Sequence, residues 1–386
     1  MQTADVVIIG AGITGLSSAY WLAKAGAQVI VLDKGLTAGE ASSRATGFLS
    51  LRGEQPKESP LAAEAEKLWN TLDEELGYPT EWKQQGRLWV ATNEAEWAGM
   101  QSTFELFSTT DIAFDLIDGE HCRKLAPSLS KGVVGGIYTA RSGHGNPQRT
   151  SQAFAWAFQD RGGVILENSP VTSILVEGGK VKGVKTPSQT IHAPVVVNCA
   201  GPQLAKVARL AEVEVPIATV RLESMVTAPL PPLFDVAMVG NGLSLRQTRR
   251  GNIHFNGGPH EWIDVELTGE TSRPNTPIVR SIARRLAELM PSIASIPLLR
   301  CWAGVVDVTP DQVCIVDRLG TPEGLIIACT SGHGFGMAVS VGVAVRDLAL
   351  DGCTCLPISE LGLDRFRTLP SNWKELRRWQ PGAYNT

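Results

Sequence analysis

Residues 5–15 have the sequence Asp-Val-Val-Ile-Ile-Gly-Ala-Gly-Ile-Thr-Gly. The first half is an apolar run with the length and pattern of a strand that is buried on both faces. A Gly-x-Gly-x-x-Gly turn follows at once, and residues 16–25 then suit a helix. Residues 27–32 form a second apolar strand, which Asp33 closes. This order of elements predicts a complete βαβ unit at the start of the chain.

The three glycines of this turn match the dinucleotide-binding fingerprint, in which each has a physical task. Gly10 allows a tight turn, Gly12 lets backbone amides approach a pyrophosphate, and Gly15 lets the helix pack closely on the strand. The helix N-terminus offers unpaired N–H groups to phosphates. Asp33 is placed to accept hydrogen bonds from ribose hydroxyls, which disfavours NADP. The predicted cofactor contacts here are Gly10, Gly12, Ile13, Thr14, Gly15, Asp33 and Lys34.

Two further segments favour FAD over NAD. A glycine-flanked turn occupies residues 41–47 after the second strand, and a βα turn occupies residues 331–336 near the C-terminus. Together they indicate a long ligand that both ends of the chain touch. A helix beginning after Gly336 would aim its dipole at the flavin ring, where reduction places negative charge. The predicted contacts are Ser42, Ser43, Arg44, Thr46, Gly47, Gly332, His333, Gly334, Phe335, Gly336 and Met337.

The composition is that of an ordinary globular chain. Of 386 residues, 43% are hydrophobic and 19% are charged, and the net charge is −4. Mixed charges argue against a nucleic-acid surface, and no apolar run reaches the ~18 residues of a membrane span. The seven irregularly spaced cysteines predict free, buried thiols and a cytoplasmic protein. No zinc-type spacing or catalytic triad is recognisable, so no metal is predicted.

The rest of the chain predicts an α+β or α/β fold, with a Rossmann-like FAD-binding domain interleaved with an antiparallel-sheet substrate domain. A single ladder of short β segments is expected over 164–199, and an amphipathic helix over 277–289. The predicted FAD-binding domain comprises residues 1–78, 143–215 and 300–386, and the predicted substrate-binding domain comprises 79–142 and 216–299.

A family resemblance extends these expectations over nearly the whole chain. Residues 7–23 resemble the N-terminus of the D-amino-acid-oxidase-like flavoproteins, a group that includes glycine oxidase, the sarcosine oxidases and the β subunits of opine, proline and hydroxyproline dehydrogenases. Further matching segments are 198–202, 245–253, 302–304, 309–311 and 332–336. The chain looks most like the β subunits of heteromeric opine or hydroxyproline dehydrogenases.

The resemblance implies FAD-dependent oxidation of a secondary amine or α-amino acid of the opine, N-methyl or imino acid type. A hydride would pass from the carbon bearing nitrogen to flavin N5, leaving an imine that hydrolyses. Partner subunits would carry the electrons onward, with FMN at a subunit interface as a further expectation. Three alternatives stay open: a stand-alone oxidase that releases H₂O₂, an FAD-containing assembly or electron-relay subunit, and an NAD-dependent dehydrogenase.

The same resemblance implies roles for single residues. Arg52 falls where monomeric sarcosine oxidases hold the substrate carboxylate, and Gly336 falls where they carry a basic residue. Gly304 falls where they attach flavin through a cysteine, which predicts non-covalent FAD, although Cys301 is near. Arg246 and His254 are expected on the substrate sheet, facing the amine. The predicted catalytic residues are Arg52, His333, His254 and Arg246, and the remaining cofactor contacts are Val171, Ala200, Gly201 and Gly304.

Overall fold

The computed structural model describes residues 2–50, 55–108, 113–265 and 273–385. The strands in chain order are β1 Gln2–Thr3, β2 Val6–Ile9, β3 Val29–Leu32, β4 Phe48–Leu49, β5 Arg87–Ala91, β6 Asp115–Asp118, β7 Gly135–Thr139, β8 Gly143–His144, β9 Val164–Leu166, β10 Ser173–Glu177, β11 Lys180–Lys185, β12 Thr190–His192, β13 Val195–Asn198, β14 Ala218–Thr227, β15 Ala237–Gly240, β16 Leu243–Gln247, β17 Ile253–Gly257, β18 His260–Ile263, β19 Leu298–Val308, β20 Ile315–Arg318, β21 Leu325–Cys329 and β22 Tyr384–Asn385. The helices are α1 Ile13–Lys24, α2 Ala41–Arg44, α3 Ser59–Asn70, α4 Leu72–Leu76, α5 Glu94–Phe107, α6 Gly119–Leu125, α7 Pro147–Gln159, α8 Leu204–Arg209, α9 Thr276–Leu289, α10 Gly334–Leu350 and α11 Trp373–Leu376.

A six-stranded sheet with the order β20-β21-β13-β2-β3-β9 carries the predicted βαβ unit. Its pairs are parallel except for β20 with β21. Strand β2 lies near the middle and is wholly buried, because both faces of the sheet are covered. Alternate residues of β2 divide between two cores: Val6 and Ile8 pack towards α1 and α10, whereas Val7 and Ile9 pack towards a four-stranded sheet and α8. This two-sided burial explains the continuous apolar run in the sequence.

A second, ten-stranded sheet has the order β22-β18-β14-β17-β16-β15-β5-β7-β6, with β19 also paired to β14. One of its faces packs on α9, whose Ile278, Ile282 and Leu286 enter the same core as Leu245 and Phe255. Residues that alternate with these on β16 and β17 therefore point to the opposite face. Ser244 and Asn256 on that face line a cavity together with Ile9 and Leu32 at the ends of β2 and β3.

Two expectations differ from the structure. The segments 164–166 and 195–198 belong to the parallel sheet, and only the strands between them form the small sheet with the order β1-β12-β11-β10. The prediction of one ladder was wrong because short apolar strands look alike whichever sheet they join. All seven cysteines are free as expected, but Cys301, Cys353 and Cys355 are exposed.

The predicted mixed fold is confirmed, since parallel and antiparallel sheets are combined with helices. The domain boundaries stay a prediction. None of the described helices combines the length and the apolar character that crossing a membrane would require.

Candidate functional site

A cavity of about 1150 Å³ opens at the carboxyl ends of β2, β3, β13 and β21. Ligands of open α/β sheets bind at such an edge, and this volume exceeds the roughly 300–1,000 Å³ of ordinary small-ligand pockets. The predicted cofactor residues in its wall are Gly10, Gly12, Ile13, Thr14, Asp33, Lys34, Ser42, Arg44, Thr46, Gly47, Val171, Ala200, Gly201, Gly304, Gly332, His333, Gly334, Phe335, Gly336 and Met337. Gly15 and Ser43 are outside the described lining. The contact of each of these residues with a cofactor, whether it lines the cavity or not, stays a prediction.

The three glycines of the turn have different surroundings: two are packed closely against backbone, and the third faces the cavity. Gly10 has a φ of +108°, and a Cβ there would lie 2.4 Å from the backbone oxygen of Cys199. A Cβ on Gly15 would lie 2.0 Å from the oxygen of Gly10. A Cβ on Gly12 would approach only Ser42 Oγ, at 3.2 Å. Gly10 and Gly15 therefore allow close packing, whereas Gly12 leaves room in the cavity.

The N-terminus of α1 is open to an anion. Its N-cap, Gly12, offers no side-chain acceptor, and the first turn contains no acidic residue. Ser42 Oγ accepts a hydrogen bond from the amide of Ile13 at 2.9 Å. The first amides of a helix have no acceptors within it, and the dipole favours negative charge there. These residues fit the pyrophosphate of a dinucleotide.

Asp33 links two backbone segments at the edge of the same site through hydrogen bonds. One carboxylate oxygen accepts from the amide of Ala11 at 2.7 Å, and the other accepts from the amide of Gly35 at 2.8 Å. An ionised carboxylate has about four lone-pair sites, so two hydrogen bonds leave capacity for hydroxyl donors. The structure thus gives Asp33 a structural task that the sequence did not indicate, and its predicted ribose contact still fits.

The C-terminal turn differs from its prediction in one respect. Helix α10 begins at Gly334 and not after Gly336. Ser331 and Gly332 take positive φ values of 48° and 81°, which lets the chain reverse from β21 into the helix. Phe335 is buried against Trp69, whose Nε1 donates to the backbone oxygen of Gly336 at 2.8 Å. Gly334, Phe335 and Gly336, which the sequence placed in a turn, therefore form the start of the first turn of α10.

His333 meets two buried residues that the sequence analysis missed. Its Nε2 lies 3.0 Å from Glu58 Oε1 and 3.6 Å from Cys314 Sγ. Burial and the neighbouring Glu58 raise the pKa of the Cys314 thiol well above its ordinary value. The three donor atoms lie within 4.8 Å of one another, but hydrogen bonds account for this grouping, so it is not assigned to a metal. No pattern joins Glu58 to His333 in the sequence.

Two of the predicted catalytic residues lie on the ten-stranded sheet, outside the described cavity wall. Arg246 and His254 are paired on β16 and β17, and each is 5% exposed. Neither is among the described lining residues. Arg246 Nε donates to the backbone oxygen of Thr46 at 2.5 Å, so it anchors the turn that follows α2. Burial lowers the pKa of Arg246 to about 10, and burial together with Arg246 lowers the pKa of His254 to about 3. Arg52 lies outside the described residues.

Residues of the ten-stranded sheet that the sequence did not single out form the wall opposite the glycine turn. Asn256 is paired with both Ser224 and Ser244 in one cross-strand row, and all three line the cavity. Arg87 and Ser50 line it as well, with the Arg87 guanidinium 6.0 Å from the ring centre of Phe48. The alternation of β16 and β17 was the only available signal, and it could not show which face would meet the cofactor.

Gly304 also lines the cavity, where a Cβ would lie 3.2 Å from Arg44 Cβ. Cys301 is three residues earlier on β19 and exposed. Because successive strand residues point to opposite faces, the Cys301 side chain points away from the face of Gly304. Non-covalent binding of flavin stays a prediction that this arrangement favours.

Comparisons with known proteins agree with this site. A family model described as FAD dependent oxidoreductase (DAO) matches residues 5–348. The β subunit of sarcosine oxidase from Rhodobacter capsulatus is 27% identical over 94% of this chain and 88% of its own length. One of the subunits of opine oxidase from Rhizobium meliloti is 26% identical over 86% of this chain and 90% of its own length.

The crystal structure of L-proline dehydrogenase from P. horikoshii superimposes with a TM-score of 0.88 at 25% identity, covering 95% of this chain and 98% of that one. The family match spans most of the chain, and it includes the glycine turn, Asp33 and the turn before α10. The chain therefore belongs to the DAO family of FAD-dependent oxidoreductases, as the sequence predicted.

Proposed function

We propose that this chain oxidises an amino acid or secondary amine of the opine, N-methyl or imino acid type with FAD as the oxidant. A hydride would leave the carbon bearing nitrogen for flavin N5, and the resulting imine would be hydrolysed by water. FAD supplies the two-electron chemistry when bound, and the protein supplies position and charge. The relatives are named for sarcosine, opines and proline, and this supports the proposed substrate class.

One observation carries the proposal: a single cavity joins the dinucleotide-binding residues to a polar, cationic wall of the second sheet. Gly12 and Asp33 lie at one side, and Arg87, Ser244 and Asn256 lie on the other. A wall with hydroxyl, amide and guanidinium groups suits a small zwitterion rather than an apolar substrate. The cavity can therefore hold a cofactor and a polar substrate next to each other.

Arg87 is our candidate for the residue that grips a substrate carboxylate. Guanidinium groups bind carboxylates through two parallel hydrogen bonds. Gly336 lacks the basic side chain that the resemblance implies at its position, and Arg87 lines the same cavity. Arg246 would act indirectly, because its hydrogen bond to Thr46 fixes the turn that lines the cofactor site.

We further propose that the chain is the catalytic β subunit of a hetero-oligomer. Two relatives, those of sarcosine oxidase and opine oxidase, are named as subunits, and this supports such an assembly. The comparisons name FAD and give no support to FMN at a subunit interface. Peroxide release by the isolated chain would favour a stand-alone oxidase instead, and a chain that binds FAD but reduces none of it with any amine would be a relay subunit.

The test is anaerobic reduction of the FAD-loaded chain with opines, sarcosine, proline and hydroxyproline isomers. We expect at least one to bleach the oxidised flavin band, with turnover restored by an artificial dye acceptor. Retained colour with every amine, or activity that needs added NAD, would refute the proposal.

Arg87→Met then tests the carboxylate grip. Removing one partner of a desolvated charge pair costs about 2 kcal/mol or more, or roughly thirtyfold in KM. Reduction by an amine that lacks a carboxylate should change little, and Arg87→Lys should recover part of the loss. Equal losses for substrates with and without a carboxylate would remove Arg87 from this role. Arg149→Met, at an exposed arginine of α7, is the matched control.

A further inference from the structure

The contact between His333 Nε2 and Glu58 Oε1 requires a proton between the two atoms. A neutral imidazole with its hydrogen on Nδ1 and an ionised carboxylate do not supply one. His333 Nδ1 lies 2.9 Å from the backbone oxygen of Ser331. A carbonyl oxygen only accepts, so Nδ1 carries a hydrogen. The opposite nitrogen, Nε2, lies 3.0 Å from Glu58 Oε1. In a neutral imidazole this nitrogen would turn a lone pair towards a carboxylate, which is repulsive.

The neighbours of Glu58 favour placing that proton on the imidazole. Oε1 also accepts the backbone N–H of Cys314 at 2.8 Å, and a hydrogen bond of this kind stabilises the charged form of a carboxyl group. Ordinary pKa values, about 6.5 for histidine and about 4.3 for glutamate, favour transfer in the same direction. Glu58 is fully buried, so its charge needs a partner.

We propose that Glu58 is a positioning residue that holds His333 as an imidazolium in the wall of the cavity. His333 is the N-cap of α10, where the helix dipole disfavours a cation, and the Glu58 carboxylate offsets that cost. The side chain of His333 remains 17% exposed and lines the cavity. If the proposed function holds, this fixed positive charge stabilises the negative charge that reduction adds to the flavin ring.

Among the described residues, the titratable groups beside the pair include Cys314, Cys329 and Arg365. Burial keeps Cys314 a thiol by raising its pKa. Cys329, behind it, donates to Asp307 at 2.8 Å and has a pKa raised in the same way. Arg365 donates to the backbone oxygen of Cys314 at 3.0 Å, and a guanidinium has no acceptor atom for a hydrogen bond.

Histidine ¹⁵N NMR tests the protonation state directly, without any need for turnover. The chain has six histidines, and His333→Gln assigns the signal. In the wild type we expect both ring nitrogens of His333 to carry protons at pH 8, with or without EDTA. Glu58→Gln should give a neutral ring at pH 8, whereas Glu64→Gln, on exposed α3 surface and paired with Lys67, should behave as wild type. A neutral wild-type ring at pH 8 overturns the proposal, whether or not the variants fold.

Sulfite affinity tests the consequence for the flavin. Addition of sulfite at N5 leaves a negative charge on the ring, so the loss of a nearby cation should weaken the adduct, by about tenfold in Glu58→Gln. Glu58→Asp, which keeps a carboxylate, should recover part of this affinity. Unchanged affinity in Glu58→Gln removes the role at the ring. A chain that binds no flavin refutes the proposed function, whereas the NMR result judges the ion pair independently.

Discussion

Acidification should lower the free energy of unfolding of this protein through the buried histidine beside Arg246. His254 is 5% exposed, and burial followed by the Arg246 charge lowers its pKa to about 3. In the unfolded chain the pKa returns to about 6.5. Between these values the unfolded chain binds a proton that the folded chain does not, so the free energy of unfolding falls as the pH falls. At pH 5, about 1.5 pH units below the pKa of histidine in the unfolded chain, the free energy of unfolding is therefore lower by roughly 2 kcal/mol.

The assay compares the free energy of unfolding in urea at pH 7.5 and pH 5 for the wild type and His254→Gln. His144 and His260, whose pKa values burial lowers to about 3 and about 4, act with the same sign in both proteins. The acid-induced loss should therefore be about 2 kcal/mol smaller in the variant. Equal acid-induced losses in His254→Gln and wild type would refute the reasoning.

Three further predictions concern the cofactor site. Gly12→Val should fold, because the nearest atom to its Cβ is Ser42 Oγ at 3.2 Å, but should purify almost colourless; normal flavin absorbance with wild-type circular dichroism would contradict this. Asp33→Ala loses two hydrogen bonds to a carboxylate and should weaken FAD binding about tenfold or more, as measured by fluorescence titration; unchanged affinity would speak against the assignment. Acid precipitation should release the flavin into the supernatant, since Gly304 offers no thiol; a yellow pellet would show covalent attachment.

The part of the site that could be predicted is the part in which function depends on local spacing. The glycine turn, Asp33 and the turn before α10 are each short segments whose neighbours in sequence are also their neighbours in space. The helix start at Gly334 was missed by a few residues, because glycines around His333 indicate a turn whether or not hydrogen bonding already continues as helix. Arg246 and His254 were expected to face the amine, because the alternation of residues along β16 and β17 placed both on one face of the sheet. That alternation could not show that the backbone at Thr46 would lie over Arg246.

The sequence by itself determined the βαβ start, the class of cofactor and the mixed α/β architecture, because periodicity and glycine spacing act within a few residues. Tertiary structure alone decided that Arg87, Ser244 and Asn256 share a wall and that Glu58 meets His333 across 275 residues of chain. Such contacts depend on how two sheets and α10 pack together. Burial then sets the charge of each group, and no local pattern encodes it.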